Sequence, residues 1–258
     1  MKSAIRLLAG ICLTVACAGL AAAGELIELA TRPGVTQAVY FDSTSPHPSW
    51  VLILFPGGDG RLALAQSGPR RANGNFVIKT ARYWIDAGQA TAMFDAPSDH
   101  AATGMGDPFR LSRNAVQDIA AAVAAARQRY PGAKVALLST SRGTITVGNV
   151  LKRDPALADA YILTSPVTQA HRTQLGLSGM SWPGNKARVL VVANEQDGCF
   201  VSPFGAAKTM AAANGFDFIA ASSSAATGDQ CGPKSPHGYL GIENPVLDAI
   251  GKWLMPAS

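Results

Sequence analysis

Charged residues are scarce in this chain of 258 residues, and aromatic side chains and cysteines are few. Asp, Glu, Lys and Arg together make up 15% of the residues, and the formal net charge is +5. The basic residues are scattered along the chain, so we expect no nucleic-acid partner. The sequence contains no internal repeat, low-complexity tract or linker that would divide it. We therefore expect one globular domain with a full core.

Long apolar runs are also missing, except at the N-terminus. Lys2 and Arg6 precede an apolar run over residues 7–20, and Ala21-Ala22-Ala23 offers the small residues that a signal peptidase needs. The run is too short to be a membrane span. Residues 1–23 are therefore predicted to be a secretory signal, and the mature protein is expected in the periplasm or outside the cell.

A lipoprotein signal is the alternative interpretation of this segment. Cys17 stands where a lipid would be attached, but Thr14 occupies the position at which an aliphatic residue is expected. We favour an ordinary secretory signal, so that residues 24–258 form the domain. No stable membrane span is expected in that domain.

Only two of the four cysteines, Cys199 and Cys231, remain once the signal has been removed. In an oxidising compartment, a disulfide between them is the natural inference. Two unpaired buried thiols are the alternative. A zinc site is disfavoured because two cysteines lack the further ligands of a closed tetrahedral site, and we expect no metal or cofactor.

Apolar runs of strand length alternate with segments of helical periodicity along the mature chain. Strands are predicted at 26–29, 38–41, 50–55, 90–94, from Val135 towards Ser141, and at 161–163, 188–193 and 216–221. Helices are predicted at 75–87, at 112–130 and in a closing segment that Asn244 caps, with Pro245 at its first position. This alternation predicts an α/β fold: a doubly wound, mostly parallel eight-stranded sheet with helices on both faces.

Ser141 follows one of these strands in the sequence Ser139-Thr140-Ser141-Arg142-Gly143. A serine between small residues at a sharp turn from strand to helix is typical of a catalytic nucleophile, because bulky neighbours would clash there. Ser139 stands where such a turn usually carries its first glycine. Serine is small enough for the turn to form.

Further polar and glycine-rich segments follow other strands, at the sheet edge where ligands bind in such folds. Pro56-Gly57-Gly58-Asp59-Gly60 follows the strand at 50–55, and its glycines let backbone N–H groups approach a carbonyl oxygen. Residues 194–199 place carboxylates after a later strand. His237 lies in the loop before the closing helix.

The order of nucleophile, acid and histidine resembles that of the α/β-hydrolase superfamily, and in particular its secreted esterases and dienelactone-hydrolase-like enzymes. The resemblance extends over residues 25–255. It implies that Ser141 is the nucleophile, that His237 is the base, and that Asp197 orients and stabilises His237.

The resemblance also implies an oxyanion hole made by the backbone N–H groups of Gly58 and Arg142. Pro56 departs from the family pattern, because many lipases and esterases have a histidine at that position. A disulfide between Cys199 and Cys231 would join the loops that carry the acid and the histidine.

Other residues compete for two of these roles. Glu195, close to Asp197, and Asp95 at another strand end are alternative acids. His100 and His171 are alternatives to His237, whereas His47 lies too early in the chain.

The sequence says less about the substrate. Residues 165–187 contain no long apolar insert that could form a lid, so we expect a minimal cap or none and an open site. Apolar candidates for contact with the substrate are Met105, Phe109, Trp182 and Phe200. We expect hydrolysis of a small or medium carboxylic ester through an acyl-enzyme. A peptidase or amidase with the same triad, and a non-catalytic binding protein on the same scaffold, are the alternatives.

Overall fold

The computed structural model describes residues 24–172 and 174–255, so the predicted signal lies outside the described residues. The strands are β1 (Glu25–Arg32), β2 (Val35–Asp42), β3 (Trp50–Phe55), β4 (Leu64–Ala65), β5 (Gly68–Pro69), β6 (Ala90–Phe94), β7 (Lys134–Thr140), β8 (Ala160–Thr164), β9 (Val189–Asn194) and β10 (Asp217–Ala221). The helices are α1 (Phe76–Lys79), α2 (Ala81–Asp86), α3 (Asp107–Arg110), α4 (Arg113–Arg129), α5 (Gly143–Arg153), α6 (Phe204–Asn214) and α7 (Glu243–Leu254).

Eight of the strands form one sheet in the order β1-β2-β6-β3-β7-β8-β9-β10, which confirms the predicted fold class. β2 pairs antiparallel with both β1 and β6, and the remaining neighbours in the sheet are parallel. β4 and β5 form a separate two-stranded ribbon. The parallel strands bring their carboxyl ends to one edge, where the loops that carry Ser141, Asp197 and the Gly57–Gly58 segment begin.

The central strands are apolar on both sides because helices cover both faces of the sheet. Helices α4, α5 and α6 pack on one face, where Ile119, Val147 and Ala207 enter the core. Helices α1, α2 and α7 cover the other face, which Trp84 and Leu247 help to fill. Among the described residues, no helix is long and apolar enough to cross a membrane.

The structure corrects several predicted boundaries. The predicted helix at 75–87 is two short helices separated at Thr80, whose hydroxyl donates a hydrogen bond to the carbonyl of Phe76 and whose backbone is not helical. The closing helix begins at Glu243, one residue before the predicted cap Asn244. Helix α6 was not predicted, because its small, largely apolar residues provide no clear alternation of buried and exposed positions.

Candidate active site

Ser141 lies on a sharp turn between β7 and α5. Its φ is 52°, in the left-handed region that is uncommon for residues other than glycine. The Ser141 N–H donates to the carbonyl of Thr164 at 3.0 Å, and the Thr144 N–H donates to the carbonyl of Ser141 at 2.9 Å. These bonds hold the turn between the neighbouring strand and the first turn of the helix.

Two glycines leave room for this turn. A Cβ atom on Gly143 would lie 2.3 Å from the carbonyl oxygen of Phe55, and one on Gly57 would lie 2.8 Å from the Cβ of Ser141. The departure at Ser139 is accommodated because this residue is still in β7, where its hydroxyl donates to the carbonyl of Ile162 at 2.9 Å. The turn therefore forms without the first glycine of the usual pattern.

His237 and Asp197 form a buried pair. Nδ1 of His237 lies 2.9 Å from Oδ2 of Asp197, and the two side chains are 4% and 1% exposed. The other carboxylate oxygen of Asp197 accepts the N–H of Cys199 at 2.9 Å. Nε2 of His237 is buried and has no hydrogen-bond partner among the described residues. Ser141 and His237 line the same pocket, of about 270 Å³, although no hydrogen bond joins their side chains in the structure.

The backbone around His237 is tied to the ends of β8 and β9. Asn194 donates from Nδ2 to the carbonyl of Pro236 at 3.1 Å, and the Ser165 hydroxyl donates to the carbonyl of His237 at 2.8 Å. The hydroxyl of fully buried Tyr239 donates to Val192 and accepts the N–H of Ser165. Burial raises the pKa of Tyr239 well above its usual value, so its hydroxyl stays protonated. Sequence analysis missed these positioning residues.

Cys199 and Cys231 are joined by a disulfide, as the sequence suggested. Cys199 follows Asp197 by two residues and also donates its N–H to that carboxylate, while Cys231 lines the pocket of Ser141. The bond thus connects the loop of the acid with the loop that leads to His237.

Replacing Cys231 by Ser is expected to lower stability and activity together. The bond closes a sequence separation of 32 residues, and loss of such a constraint costs about 3 to 4 kcal/mol in the chain-entropy model. Thermal unfolding and ester hydrolysis are measured on the variant and on wild type. Unchanged melting and unchanged turnover would contradict this coupling.

The alternative candidates for the acid and for the histidine are either exposed or make other contacts. Glu195 is exposed. Asp95 is buried, but its carboxylate accepts the backbone N–H groups of Leu62, Leu64 and Ala96, so its contacts are structural. His47 is exposed. The rings of the two remaining histidines contact phenylalanines, tilted in the pair His100–Phe109 and edge-to-face in the pair His171–Phe200.

Three of the four apolar residues suggested for substrate contact are in fact packed inside the protein. Met105 is 2% exposed, Phe109 9% and Trp182 3%, whereas Phe200 is 59% exposed. The indole N–H of Trp182 donates to the carbonyl of Gly148 at 2.9 Å, which fixes it against α5. These three residues pack in the interior, as apolar residues in loops commonly do, and so are not exposed for substrate contact.

Gly58 lines the pocket beside Ser141, and its φ of +60° is one that glycine adopts without strain. Arg142 directly follows Ser141 at the start of α5, and its guanidinium bonds Asp107 at 2.6 Å. The guanidinium of Arg142 is therefore paired with Asp107 and is not assigned to a substrate carboxylate. Its backbone N–H remains the candidate oxyanion donor.

One group of potential metal ligands is present among the described residues: donor atoms of Asp197, Cys199 and His237 lie within 4.8 Å of one another. Cysteine binds a metal as the thiolate, whereas the sulfur of Cys199 is bonded to that of Cys231. We therefore assign no metal to this group.

Comparison with known proteins agrees with this geometry. The family model described as serine aminopeptidase, S33 (Hydrolase_4) matches residues 104–202, which include Ser141 and Asp197. The fold of the chain is that of the α/β hydrolases. No curated protein sequence matches this chain.

Several solved structures share the fold of this chain at low sequence identity. A serine hydrolase without a lid from Xanthomonas campestris is 14% identical, with a TM-score of 0.60 over 91% of this chain and 96% of that chain. Est1E from Butyrivibrio proteoclasticus is 14% identical, with a TM-score of 0.60 over 90% of this chain and 98% of that chain. The esterase Pf2001 from Pyrococcus furiosus is 12% identical, with a TM-score of 0.62 over 90% and 91%. These neighbours show the fold, and the family match over residues 104–202 indicates a hydrolase.

Proposed function

We propose that this protein is a secreted serine hydrolase that cleaves carboxylic esters through an acyl-enzyme intermediate. The observation that carries the proposal is the buried His237–Asp197 pair, because His237 lines the same pocket as Ser141 and its Nε2 has no other hydrogen-bond partner among the described residues. A histidine held at one nitrogen by a carboxylate, with the other nitrogen free beside a serine, is the arrangement that activates a hydroxyl.

In the proposed reaction, the hydroxyl oxygen of Ser141 attacks the ester carbonyl carbon while Nε2 of His237 takes its proton. The carbonyl oxygen becomes an oxyanion, which the N–H groups of Gly58 and Arg142 bind. Collapse of this intermediate breaks the bond to the alcohol, and His237 gives the leaving oxygen its proton. Water then repeats the sequence on the acyl-enzyme and releases the acid, and Asp197 stabilises the imidazolium in both halves.

The pocket favours small or medium esters. Its volume of about 270 Å³ lies below the range common for drug-sized ligands. Small residues line it, including Gly57, Gly74, Ala72 and Gly232. Residues 165–188 between β8 and β9 contain no helix among those described, so no large cap covers this edge of the sheet.

The proposal is tested with a series of nitrophenyl esters of increasing acyl length beside the matching nitroanilides. We expect ester hydrolysis to be faster than anilide hydrolysis and to decline once the acyl chain outgrows the pocket. A feruloyl ester belongs in the series, since Est1E from Butyrivibrio proteoclasticus has been solved with ferulic acid bound. Faster cleavage of the anilides would overturn the ester assignment.

An amide or peptide substrate is the second candidate, and the match to the serine aminopeptidase family favours it. The same three side chains would perform that reaction, with an amine as the leaving group. We rank it below ester hydrolysis because an amine leaves the tetrahedral intermediate less readily than an alcohol does. Secretion is proposed from residues 1–23, and the Cys199–Cys231 disulfide supports an oxidising compartment.

A further inference from the structure

Arg110 in α3 is fully buried next to the loop that carries Gly58. Its guanidinium donates to three different segments: from Nη2 to the carbonyl of Gly58 at 3.2 Å, from Nε to the carbonyl of Met105 at 3.0 Å, and from Nη1 to the hydroxyl of Thr146 at 2.9 Å. All three acceptors are uncharged. The arginine thus joins the Gly58 loop to helix α5, which begins just after Ser141.

A buried cation without a carboxylate in hydrogen-bonding contact is costly for stability. Burial, together with the nearby positive charge of Arg142, lowers the pKa of Arg110 to about 9. Hydrophobic replacement of buried ionic groups is often neutral or stabilising. Stability alone therefore gives little reason for an arginine at this position.

Asp107, in the same short helix, holds the second oxyanion donor. Its Oδ1 accepts from the guanidinium of Arg142 at 2.6 Å, and its Oδ2 accepts the N–H of Gly176 at 3.0 Å. The Asp107 side chain is 4% exposed. The turn thus holds the backbone of Arg142, and the ion pair with Asp107 holds its side chain.

The Gly58 loop depends on such support because of its backbone. Gly58 has no side chain and a φ of +60°, so no side chain of its own restricts the peptide units on either side. The turn has one backbone hydrogen bond, from the N–H of Gly60 to the carbonyl of Gly57 at 3.2 Å. Two residues on, a Cβ atom on Gly60 would lie 2.8 Å from Nη2 of Arg110, which shows how closely the loop packs on the guanidinium. The carbonyl of Gly58 belongs to the peptide unit after it, and its N–H to the unit before it. A hydrogen bond to the carbonyl fixes the first unit and, through the backbone of Gly58, restrains the direction of the N–H.

We propose that α3 positions both arms of the oxyanion hole, Arg110 by holding Gly58 and Asp107 by holding Arg142. This inference rests on the proposed function, because it assigns these residues a task in ester hydrolysis. Neither side chain contacts the substrate, so both are positioning residues. Their contribution is to keep two N–H groups aimed at an oxygen that gains charge only in the transition state.

The test compares Arg110→Met, Arg110→Lys and Asp107→Asn with a matched control, Arg188→Met. Arg188 likewise donates to backbone carbonyls, those of Trp253 and Leu254, but it precedes β9 at the opposite edge of the sheet. For each variant, kcat and KM are measured on a nitrophenyl ester. The affinity of a trifluoromethyl ketone, whose adduct with a serine carries an oxyanion, is measured in parallel.

We expect Arg110→Met to lower kcat about 100-fold with little change in KM, since small misplacements of catalytic groups cost about that much. Affinity for the ketone should fall in proportion to kcat/KM. Arg110→Lys and Asp107→Asn should show smaller losses of the same kind. Arg188→Met should lower the melting temperature but leave kcat unchanged.

Two results would overturn the inference while leaving the proposed function intact. One is a kcat and ketone affinity in Arg110→Met that equal those of Arg188→Met. If Arg110→Met does not fold, the second such result is an unchanged kcat and an unchanged ketone affinity in both Arg110→Lys and Asp107→Asn. A wild-type protein that hydrolyses no ester would instead refute the proposed function, and this inference with it.

Discussion

Replacing Ser141 by Ala is expected to lower kcat for ester hydrolysis by about 10⁶-fold, as removal of a serine nucleophile does elsewhere. Alanine keeps the Cβ and removes only the oxygen that forms the acyl-enzyme. Hydrogen bonds of the turn use the backbone of Ser141, and its carbonyl also accepts the hydroxyl of Thr144. The variant should therefore fold as wild type does.

The control for this variant is Ser139→Ala. Ser139 lies two residues away in β7 and donates its hydroxyl to Ile162 inside the sheet. We expect it to lose some stability but to retain hydrolysis. Comparable loss of kcat in both variants, or retained turnover in Ser141→Ala, would contradict the assignment of Ser141.

Replacing Asp197 by Asn is expected to lower kcat about 10⁴-fold, the effect measured when a triad aspartate becomes asparagine. The amide occupies the same volume but carries no charge to stabilise the imidazolium of His237. It also offers an N–H₂ group that favours the wrong tautomer of the ring. Kinetics on the best nitrophenyl ester measure the loss.

Glu195→Gln provides the matched control, because it removes one carboxylate two residues away in the same loop. Glu195 is exposed, whereas Oδ2 of Asp197 lies 2.9 Å from His237. We expect turnover in Glu195→Gln to equal that of wild type. The reverse pattern, a large loss in Glu195→Gln and a small one in Asp197→Asn, would make Glu195 the acid.

The sheet could be predicted from the sequence because its strands are short, continuous apolar runs separated by glycine and proline. Trp50–Phe55 is one such run, and all six of its residues are buried. Helix α6 left no comparable signal, since alanine and glycine fill most of its positions. Length and periodicity thus predicted the eight strands of the main sheet, whereas they did not predict α6 or the four-residue helix α3.

Candidate polar residues of the site could be named from the sequence where the chemistry demands a particular residue type after a strand or in a loop at that edge of the sheet. Ser141, Asp197 and His237 met that condition. Arg110 and Tyr239 did not, because each acts through contacts between segments far apart in the chain, such as Arg110 with Gly58. The sequence likewise contained no sign that Met105 is buried, since a loop residue can face either the core or the solvent.

Labelling with a fluorophosphonate probe tests the central claim, an activated serine at position 141, most directly. The probe reacts with serine nucleophiles that a neighbouring base activates, and peptide mass spectrometry locates the modified residue. The account predicts a single adduct on Ser141 in wild type, none in Ser141→Ala, and much slower labelling in Asp197→Asn. A wild-type protein that remains unlabelled, or an adduct on another serine, would contradict it.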